Sequence, residues 1–288
     1  MMKQQLTRAF RILLKNKVTT VAFILLSIII IVLLLAPWIA PYGPEQQNIA
    51  HRLLPGIWDA EASQGHILGT DNLGRDTFSR LILGGRTTLT IALQATIIGL
   101  FFGTLFGLLA GYYPRLDSPI MRVMDILFTF PGILLAMLII AIFGTSERNT
   151  VIAIAIWAIP NFARMIRSRT LSIKNEEYIT SERALGAHDG RILFKHILPN
   201  CIPTIIVIAT MRLAFSIISI STLSYLGVGV PAPKPEWGGM IFTAKDYMWE
   251  RPSLIIIPGL AVMVTVISIN LIGDKLSEIL TPGLKDRI

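Results

Sequence analysis

The 288-residue sequence is poor in charged residues and has a single cysteine. Charged side chains make up 15% of the chain, whereas soluble domains carry about 25%. With 53% hydrophobic residues and a mean hydropathy of +0.63, this shortfall excludes a disordered chain, a collagen-like fibre and a nucleic-acid-binding tail. One cysteine, Cys201, excludes an internal disulfide and a multi-cysteine metal site, and we predict that it is a small apolar residue in a helix. The composition indicates an integral membrane protein.

Six apolar runs predict membrane-spanning helices, since a helix needs about 20 apolar residues to cross the hydrocarbon core. The fourth run has 15 residues and gains length if Arg164 and Arg167 reach the interface. The first run is longer than the apolar part of a signal peptide and lacks a clear cleavage site, so residues 18–41 are predicted to be an uncleaved anchor. The sequence therefore predicts an all-α polytopic fold with six transmembrane helices. The runs are 18–44, 87–114, 126–146, 149–163, 202–226 and 252–273.

The placement of lysine and arginine predicts an orientation, because cytoplasmic segments are usually the basic ones. With a cytoplasmic N-terminus, the segments on that side carry 17 basic residues and those on the other side carry 8. We predict that both termini are cytoplasmic, and this topology explains the net charge of +8 without a nucleic-acid partner. The predicted parts are an N-terminal segment 1–17, the first transmembrane helix 18–41, an extracytoplasmic segment 42–86, a five-helix core 87–273 and a tail 274–288.

Two outer segments are too long to be simple connections. The segment 42–86 contains Asp71 and Asp76, with turns predicted at several glycines, including Gly84 and Gly85. A metal site built on the two carboxylates is one alternative, but the spacing matches no calcium-binding loop. A turn held by Asp–Arg pairs is the favoured prediction. The second outer segment, 227–251, is rich in proline and glycine.

The inner segment 164–199 is predicted to form a helical hairpin. Residues 174–185 suit a helix, and Gly186 stands where a left-handed residue would end it. Asp189 would cap a second helix, closed by Pro199. That helix would place four apolar residues on one side: Leu193, Phe194, Ile197 and Leu198. The bend carries further apolar residues that need a cover, either the rest of this chain or a groove on a partner. These are Ala184, Leu185 and Ala187.

Four motifs in this order carry a resemblance to a known family. They are residues 69–80 with Gly85–Arg86, the pair Phe130–Pro131, the hairpin stretches 183–189 and 194–200, and residues 223–230 with Trp237–Gly238. They resemble the permeases of ATP-binding-cassette importers, above all the branch that imports dipeptides, oligopeptides and nickel. The long first outer segment resembles the second of the two permeases that such systems usually pair. One departure concerns Thr180, Ser181 and Glu182, where the family commonly has Glu-Ala-Ala. Glu182 is therefore not equivalent to the family's glutamate.

The resemblance implies a type I importer permease, which is a non-catalytic subunit. The chain contains no phosphate-binding loop, so two separate ATPase subunits would bind ATP and Mg, and this chain would hold no cofactor or metal. A second permease would complete the pathway, and an extracytoplasmic binding protein would dock on 42–86 and 227–251. The cargo would be peptides, nickel or metal-chelate (metallophore) complexes, imported across a bacterial plasma (inner) membrane. The residues implied in ATPase coupling are Arg183, Ala184, Leu185, Gly186, Ala187, His188, Asp189, His196 and Pro199.

Arg212 is the one charge inside a predicted span. A charged side chain near the bilayer centre costs about 2.5–3.5 kcal/mol on insertion scales, so Arg212 should face protein or a water-filled pathway. Two roles stay open: it attracts a substrate carboxylate, or it holds a carboxylate or carbonyl of the paired permease. The second role is favoured. Pro131, Pro160 and Pro258 are predicted to lie within spans, where they permit kinks.

Two other protein classes are alternatives. A secondary transporter would need no ATPase, but no Asp or Glu falls inside the six runs and no internal repeat is visible. A membrane-embedded enzyme would need a catalytic motif such as H-E-x-x-H or G-x-S-x-G, and the sequence has neither. His188 and His196 share no metal-ligand spacing.

Overall fold

The computed structural model describes residues 16–60 and 65–280, which form helices joined by irregular segments. Within this part of the chain, the one extended pairing is an isolated bridge between Thr70 and Asp76, so the predicted all-α fold is confirmed. The helices are α1 (Lys17–Leu34), α2 (Ala36–Ile39), α3 (Thr77–Tyr112), α4 (Pro114–Thr129), α5 (Gly132–Phe143), α6 (Glu147–Lys174), α7 (Glu177–Ala184), α8 (Asp189–Arg191), α9 (Leu198–Tyr225), α10 (Trp237–Ala244) and α11 (Ser253–Leu280).

Among residues 16–60 and 65–280, five helical stretches are long and apolar enough to cross a membrane: α1, α3, α6, the stretch Asp189–Tyr225 that ends in α9, and α11. The span predicted over 126–146 is not one helix, because α4 and α5 meet at 89°. Pro131 disfavours the helical conformation for the residue before it, and Phe130 accordingly has φ −85° and ψ 133°. The predicted count of six holds if this bent pair is taken as one span.

Several predicted boundaries are wrong, because polar residues at the helix ends find partners that a hydropathy pattern does not show. α3 begins at Thr77 rather than near residue 87, since the Asp76 carboxylate accepts a hydrogen bond from the Ser79 backbone N–H at 2.7 Å. Gly84 and Gly85 therefore lie in a helix and not in a turn. α6 continues through residues 164–174, and α11 runs to Leu280. The irregular part of the predicted outer segment is thus 42–76, and the first eleven residues of the predicted hairpin belong to α6. The predicted outer segment 42–86 itself stays a prediction.

Six of the 17 basic residues that favour the predicted orientation lie outside the described part of the chain, and the structure contains no membrane against which to orient the helices. The six are Lys3, Arg8, Arg11 and Lys15 of the N-terminal segment, with Lys285 and Arg287 of the tail. Both termini being cytoplasmic therefore stays a prediction.

α3 and α6 pack closely along their length because α3 presents glycine every fourth residue. Gly99, Gly103, Gly107 and Gly111 lie on one face. A Cβ at Gly103 would lie 2.4 Å from the Cβ of Phe162, so any side chain there would push the helices apart. Small residues are how membrane helices approach each other. This regular repeat is the signal in the sequence that predicts the contact.

The rest of the core surrounds this helix pair. Its largest apolar cluster joins residues of α3, α5, α6, α9 and α11, such as Ile91, Ile140, Ile154, Ile217 and Ile269. α1 packs on α11 and α3 and keeps many apolar side chains exposed, as expected for a helix that faces lipid.

The segment before α3 folds into a structure held by polar contacts, called the cap here and comprising residues 42–60 and 65–76. Asp71 Oδ1 accepts hydrogen bonds from the backbone N–H groups of Leu73 (2.9 Å) and Arg75 (3.0 Å). Its Oδ2 lies 2.7 Å from Arg75 Nε and 3.5 Å from Arg80 Nε. The favoured prediction, a turn held by Asp–Arg pairs, is confirmed. Within the described residues, no group of His, Cys, Asp and Glu is arranged to hold a metal.

The second outer segment is attached to the bundle by Glu236 and Trp237. The Glu236 carboxylate accepts hydrogen bonds from the Thr88 hydroxyl and the Gly239 backbone N–H, both at 2.9 Å. The indole of Trp237 donates to the Leu81 carbonyl at 2.9 Å. A Cβ at Gly85 would lie 2.4 Å from this indole, which explains why that helical position is a glycine.

Candidate functional site

The predicted hairpin is smaller than expected and comprises residues 175–197, called the elbow here. It joins α6 to α9 at the end of the bundle opposite the cap, because the cap precedes the first residue of α3 and the elbow lies beside its last residues. Lys174, the final residue of α6, donates a hydrogen bond from Nζ to the Tyr112 carbonyl at 2.6 Å.

The first helix of the elbow, α7, ends in a complete left-handed cap. Gly186 has φ +82°, and its N–H donates to the Arg183 carbonyl at 3.0 Å. The Ala187 N–H donates to the Glu182 carbonyl at 3.1 Å. These two bonds define the Schellman arrangement, in which the left-handed residue is usually glycine. The predicted conformation of Gly186 is confirmed.

The second half of the elbow corrects two predictions. His188, not Asp189, is the residue that caps α8, since its Nδ1 accepts a hydrogen bond from the Arg191 N–H at 3.2 Å. Pro199 does not close a helix, because it lies in the first turn of α9, where a missing N–H has no cost. A π-helical turn, Ile192–Ile197, leads directly into α9.

The inner face of the elbow is fixed to the bundle. Buried apolar side chains from the elbow and from the ends of α3, α6 and α9 form one cluster: Leu108, Tyr112, Ile166, Ile173, Ile179, Ile192, Leu193, Ile197 and Cys201. The Tyr112 hydroxyl donates to Asp189 Oδ1 at 2.6 Å, and the Arg183 guanidinium lies 3.5 Å from the same hydroxyl. The elbow is therefore an extension of α3, α6 and α9 and not a loose loop. Cys201 is a buried helical residue, as predicted.

The outer face of the elbow carries large apolar side chains that the described residues of this chain leave uncovered. Leu185, beside the bend, is 85% exposed, and Ala184 is also exposed. Phe194 is 64% exposed, whereas Leu193 and Ile197 are buried, so the predicted common apolar side is wrong. The reason is the π-helical turn, whose i→i+5 bonding rotates side chains away from the positions that α-helical spacing predicts. The sequence left two covers open for the bend, the rest of this chain or a groove on a partner. The described residues of this chain do not cover Leu185.

Glu182, at the position where the sequence departs from the family, pairs within the elbow. Its carboxylate oxygens lie 3.7 Å from His196 Nε2 and 4.0 Å from Arg191 Nε. Thr180, the position of the family's glutamate, is exposed. Burial raises the pKa of Tyr178, and the Glu176 carboxylate adds to the shift. The Tyr178 phenol thus stays protonated and accepts a hydrogen bond from Asn200 Nδ2 at 3.2 Å.

The structure brings most of the predicted coupling residues together. Residues 183–189 form the bend, and His196 lies within ion-pair distance of α7 through Glu182. Arg212 lies apart, in the middle of α9, and its Nη2 donates to Asn161 Oδ1 on α6 at 2.6 Å. The sequence reasoning missed Tyr112, which holds the elbow through Asp189. Its position at the end of the second apolar run, where aromatic residues mark membrane interfaces, was the available signal.

A family model described as "binding-protein-dependent transport system inner membrane component" matches residues 79–286, which include the elbow. The chain belongs to this family. A second model, for the N-terminal transmembrane domain of oligopeptide transport permease C, matches residues 4–55. The chain is thus an inner-membrane permease component of the ATP-binding-cassette importer class, a non-catalytic subunit, and the resemblance given by the motifs is confirmed. Membership excludes the secondary transporter and the membrane-embedded enzyme.

Similar proteins agree with this assignment. The chain is 43% identical over 277 residues to the glutathione transport system permease protein GsiD of Pectobacterium atrosepticum, covering 96% of this chain and 90% of that protein. It is 42% identical over 272 residues to the di/tripeptide transport system permease protein DppC of Pseudomonas aeruginosa, covering 94% of this chain and 90% of that protein. Inward-facing structures of the MetNI methionine ABC transporter include a chain that shares the fold, with a TM-score of 0.59 and 20% identity over 70% of this chain and 96% of that one.

Proposed function

We propose that this chain is the second permease of a peptide importer and that the elbow couples it to an ATPase subunit. The observation that carries the coupling proposal is the contrast between the two faces of the elbow. The inner face is anchored by a buried apolar cluster and by Tyr112, whereas the outer face presents Leu185 at 85% exposure. An exposed apolar side chain on a rigid base is suited to bind in a groove on another protein.

The rigid base gives the coupling a physical route. A displacement of the bend passes to α6 and α9, which continue from the two ends of the elbow, and to α3 through Tyr112. Closure of two ATPase subunits around ATP and Mg would thus rock whole helices rather than bend a loop. This proposal places the elbow and both termini in the cytoplasm.

The proposed assembly has a homologous second permease, two ATPases and an extracytoplasmic binding protein that docks on the cap and on residues 227–251. Peptides are the proposed cargo, since relatives that match nearly the whole chain are named for glutathione and for di- and tripeptides. Nickel and metal-chelate complexes stay a family-level possibility, which uptake by the reconstituted complex would decide.

Replacing Gly186 with valine tests the coupling. The left-handed conformation costs an L-residue about 1–2 kcal/mol, and a β-branched side chain resists it further. We expect Gly186→Val to leave insertion and ATP hydrolysis intact while peptide uptake by reconstituted liposomes is lost.

Gly259 supplies a matched control. A Cβ at either glycine meets no atom within 4 Å, but only Gly186 of the two has a positive φ. Gly259→Val should therefore transport peptide normally. Normal uptake by Gly186→Val would contradict the coupling role of the bend, and so would failure of a cysteine at Leu185 to crosslink to an ATPase.

A further inference from the structure

Arg212 and Asn161 meet near the middle of two membrane-spanning helices. Arg212 is in the centre of α9 and Asn161 is in the centre of α6, and the 2.6 Å bond joins Nη2 to Oδ1. Both side chains are partly exposed. Because a cation at this depth is not stable against lipid, this face of α6 and α9 must be covered by protein or by a water-filled pathway.

The charge of Arg212 is not neutralised within the described part of the chain. No described carboxylate forms an ion pair with it, and its bonded partner is a neutral amide. A guanidinium has five N–H donors in a planar fork that matches a carboxylate. The bond to Asn161 uses one nitrogen and orients the group, which leaves donors for a second ligand.

One aromatic ring borders the guanidinium, and a second packs against the first. The guanidinium carbon lies 5.6 Å from the centre of the Phe215 ring, and that ring meets Trp157 edge to face at 4.8 Å. Phe215 is 40% exposed. Trp157 also packs on Gly132, where a Cβ would lie 1.5 Å from the indole, so the group lies beside the bend between α4 and α5.

The face of α6 that carries Asn161 bears further polar residues towards the elbow, beside the exposed Met165. Arg164 and Ser168, three and seven residues further along, are exposed and share this face. A polar stripe along a membrane helix indicates contact with water or with a polar solute rather than with lipid. The stripe and Arg212 together mark one wall of a pathway.

We propose that Arg212, oriented by Asn161, binds the carboxylate of a peptide as it crosses the membrane. Phe215 and Trp157 provide apolar contact for side chains of varied shape. This assignment rests on the proposed function, since it requires a peptide cargo. It differs from the role favoured on sequence, because Arg212 takes its fixed partner from its own chain and needs no second permease to position it.

The test uses the whole complex in liposomes, with Phe215 replaced by the photoreactive residue benzoylphenylalanine. The probes are radiolabelled trialanine and its C-terminal amide, which differ in the carboxylate alone. We expect trialanine to label this chain, with labelling about tenfold weaker for the amide, in line with loss of a charged hydrogen bond. Arg212→Gln should lower trialanine labelling equally, and Arg212→Lys should restore much of it.

Met211→Gln is the matched control, because it places the same amide at the next position, on the side of α9 that approaches Gly273. It should label like the unmodified sequence. Equal labelling by the acid and the amide, or crosslinks to the second permease alone, would overturn the assignment in favour of a structural role. Absence of uptake of either peptide by the wild-type complex, with ATP hydrolysis intact, would instead contradict the proposed cargo and with it this inference.

Discussion

The two ends of the helix bundle use polar residues in opposite ways. In the cap and at the adjoining start of α3, charged groups are buried and paired: Arg75, Asp76 and Arg80 are 3%, 2% and 5% exposed, and His66 Nδ1 lies 2.9 Å from Asp76 Oδ1. In the elbow, the ion pairs of Glu182 are long and partly exposed, while the largest apolar side chain at the bend points outward. The cap is held together by buried charged groups, whereas the elbow is held by a buried apolar cluster and its ion pairs are peripheral.

Removing the central carboxylate of the cap should have the largest effect on stability. Asp71→Ala would leave two buried guanidinium groups without their shared counter-charge, and such a loss costs about 3–5 kcal/mol. We expect a large fall in the free energy of unfolding, measured by denaturant titration in detergent. Asp246→Ala, at an exposed position of the second outer segment, should change it by no more than about 0.5 kcal/mol. Equal effects of the two changes would show that the cap is not held by its buried charges.

The next largest loss of stability should come from a change between α3 and α6, the helix pair that joins the cap to the elbow. Gly103→Ala would place a Cβ 2.4 Å from that of Phe162, and overpacking of this kind costs about 1–3 kcal/mol. The same titration measures it. Gly259→Ala, where a Cβ meets open space in α11, should be neutral or stabilising because alanine favours the helix. An unchanged stability of Gly103→Ala would contradict close packing of α3 on α6.

The smallest effect should come from the elbow. Glu182→Gln removes the charge from two long, partly exposed contacts, with Arg191 and with His196, and surface contacts of this kind are each worth less than about 1 kcal/mol. Unfolding should therefore hardly change, although the residue lies in a proposed functional segment. A loss as large as that of Asp71→Ala would mean that the two ends are held together in the same way.

Hydropathy predicted the existence of the helices better than their ends. A run of apolar residues is recognised from residue types alone, so α1 and the other apolar runs could be predicted from the sequence. The start of α3 could not be predicted in this way, because it depends on the hydrogen bond between Asp76 and Ser79 and on burial of Arg80 against the cap. The pair Phe130–Pro131 is recognisable in the sequence as a motif. Its consequence, two helices at 89° instead of one straight span, is seen only in the backbone of the folded chain.

In the elbow, too, some features could be predicted from the sequence and others could not. The sequence predicted the left-handed Gly186, because the requirement is local to one residue and its neighbours. It failed for the Phe194 side and for Pro199, because a π-helical turn rotates its side chains and leads directly into α9. It failed for Asp189 because His188 caps α8 instead. The contact of Tyr112 with Asp189 was also not predicted, because the two residues lie far apart in the chain.

The sequence by itself determined the class of protein, the number of apolar runs and the bend at Gly186. Each of these depends on composition or on short-range backbone geometry, which residue types fix directly. The tertiary structure alone decided where the helices end, which face of the elbow is free and which group accompanies Arg212. Those outcomes require polar atoms from distant segments to meet, and only folding brings such atoms within bonding distance.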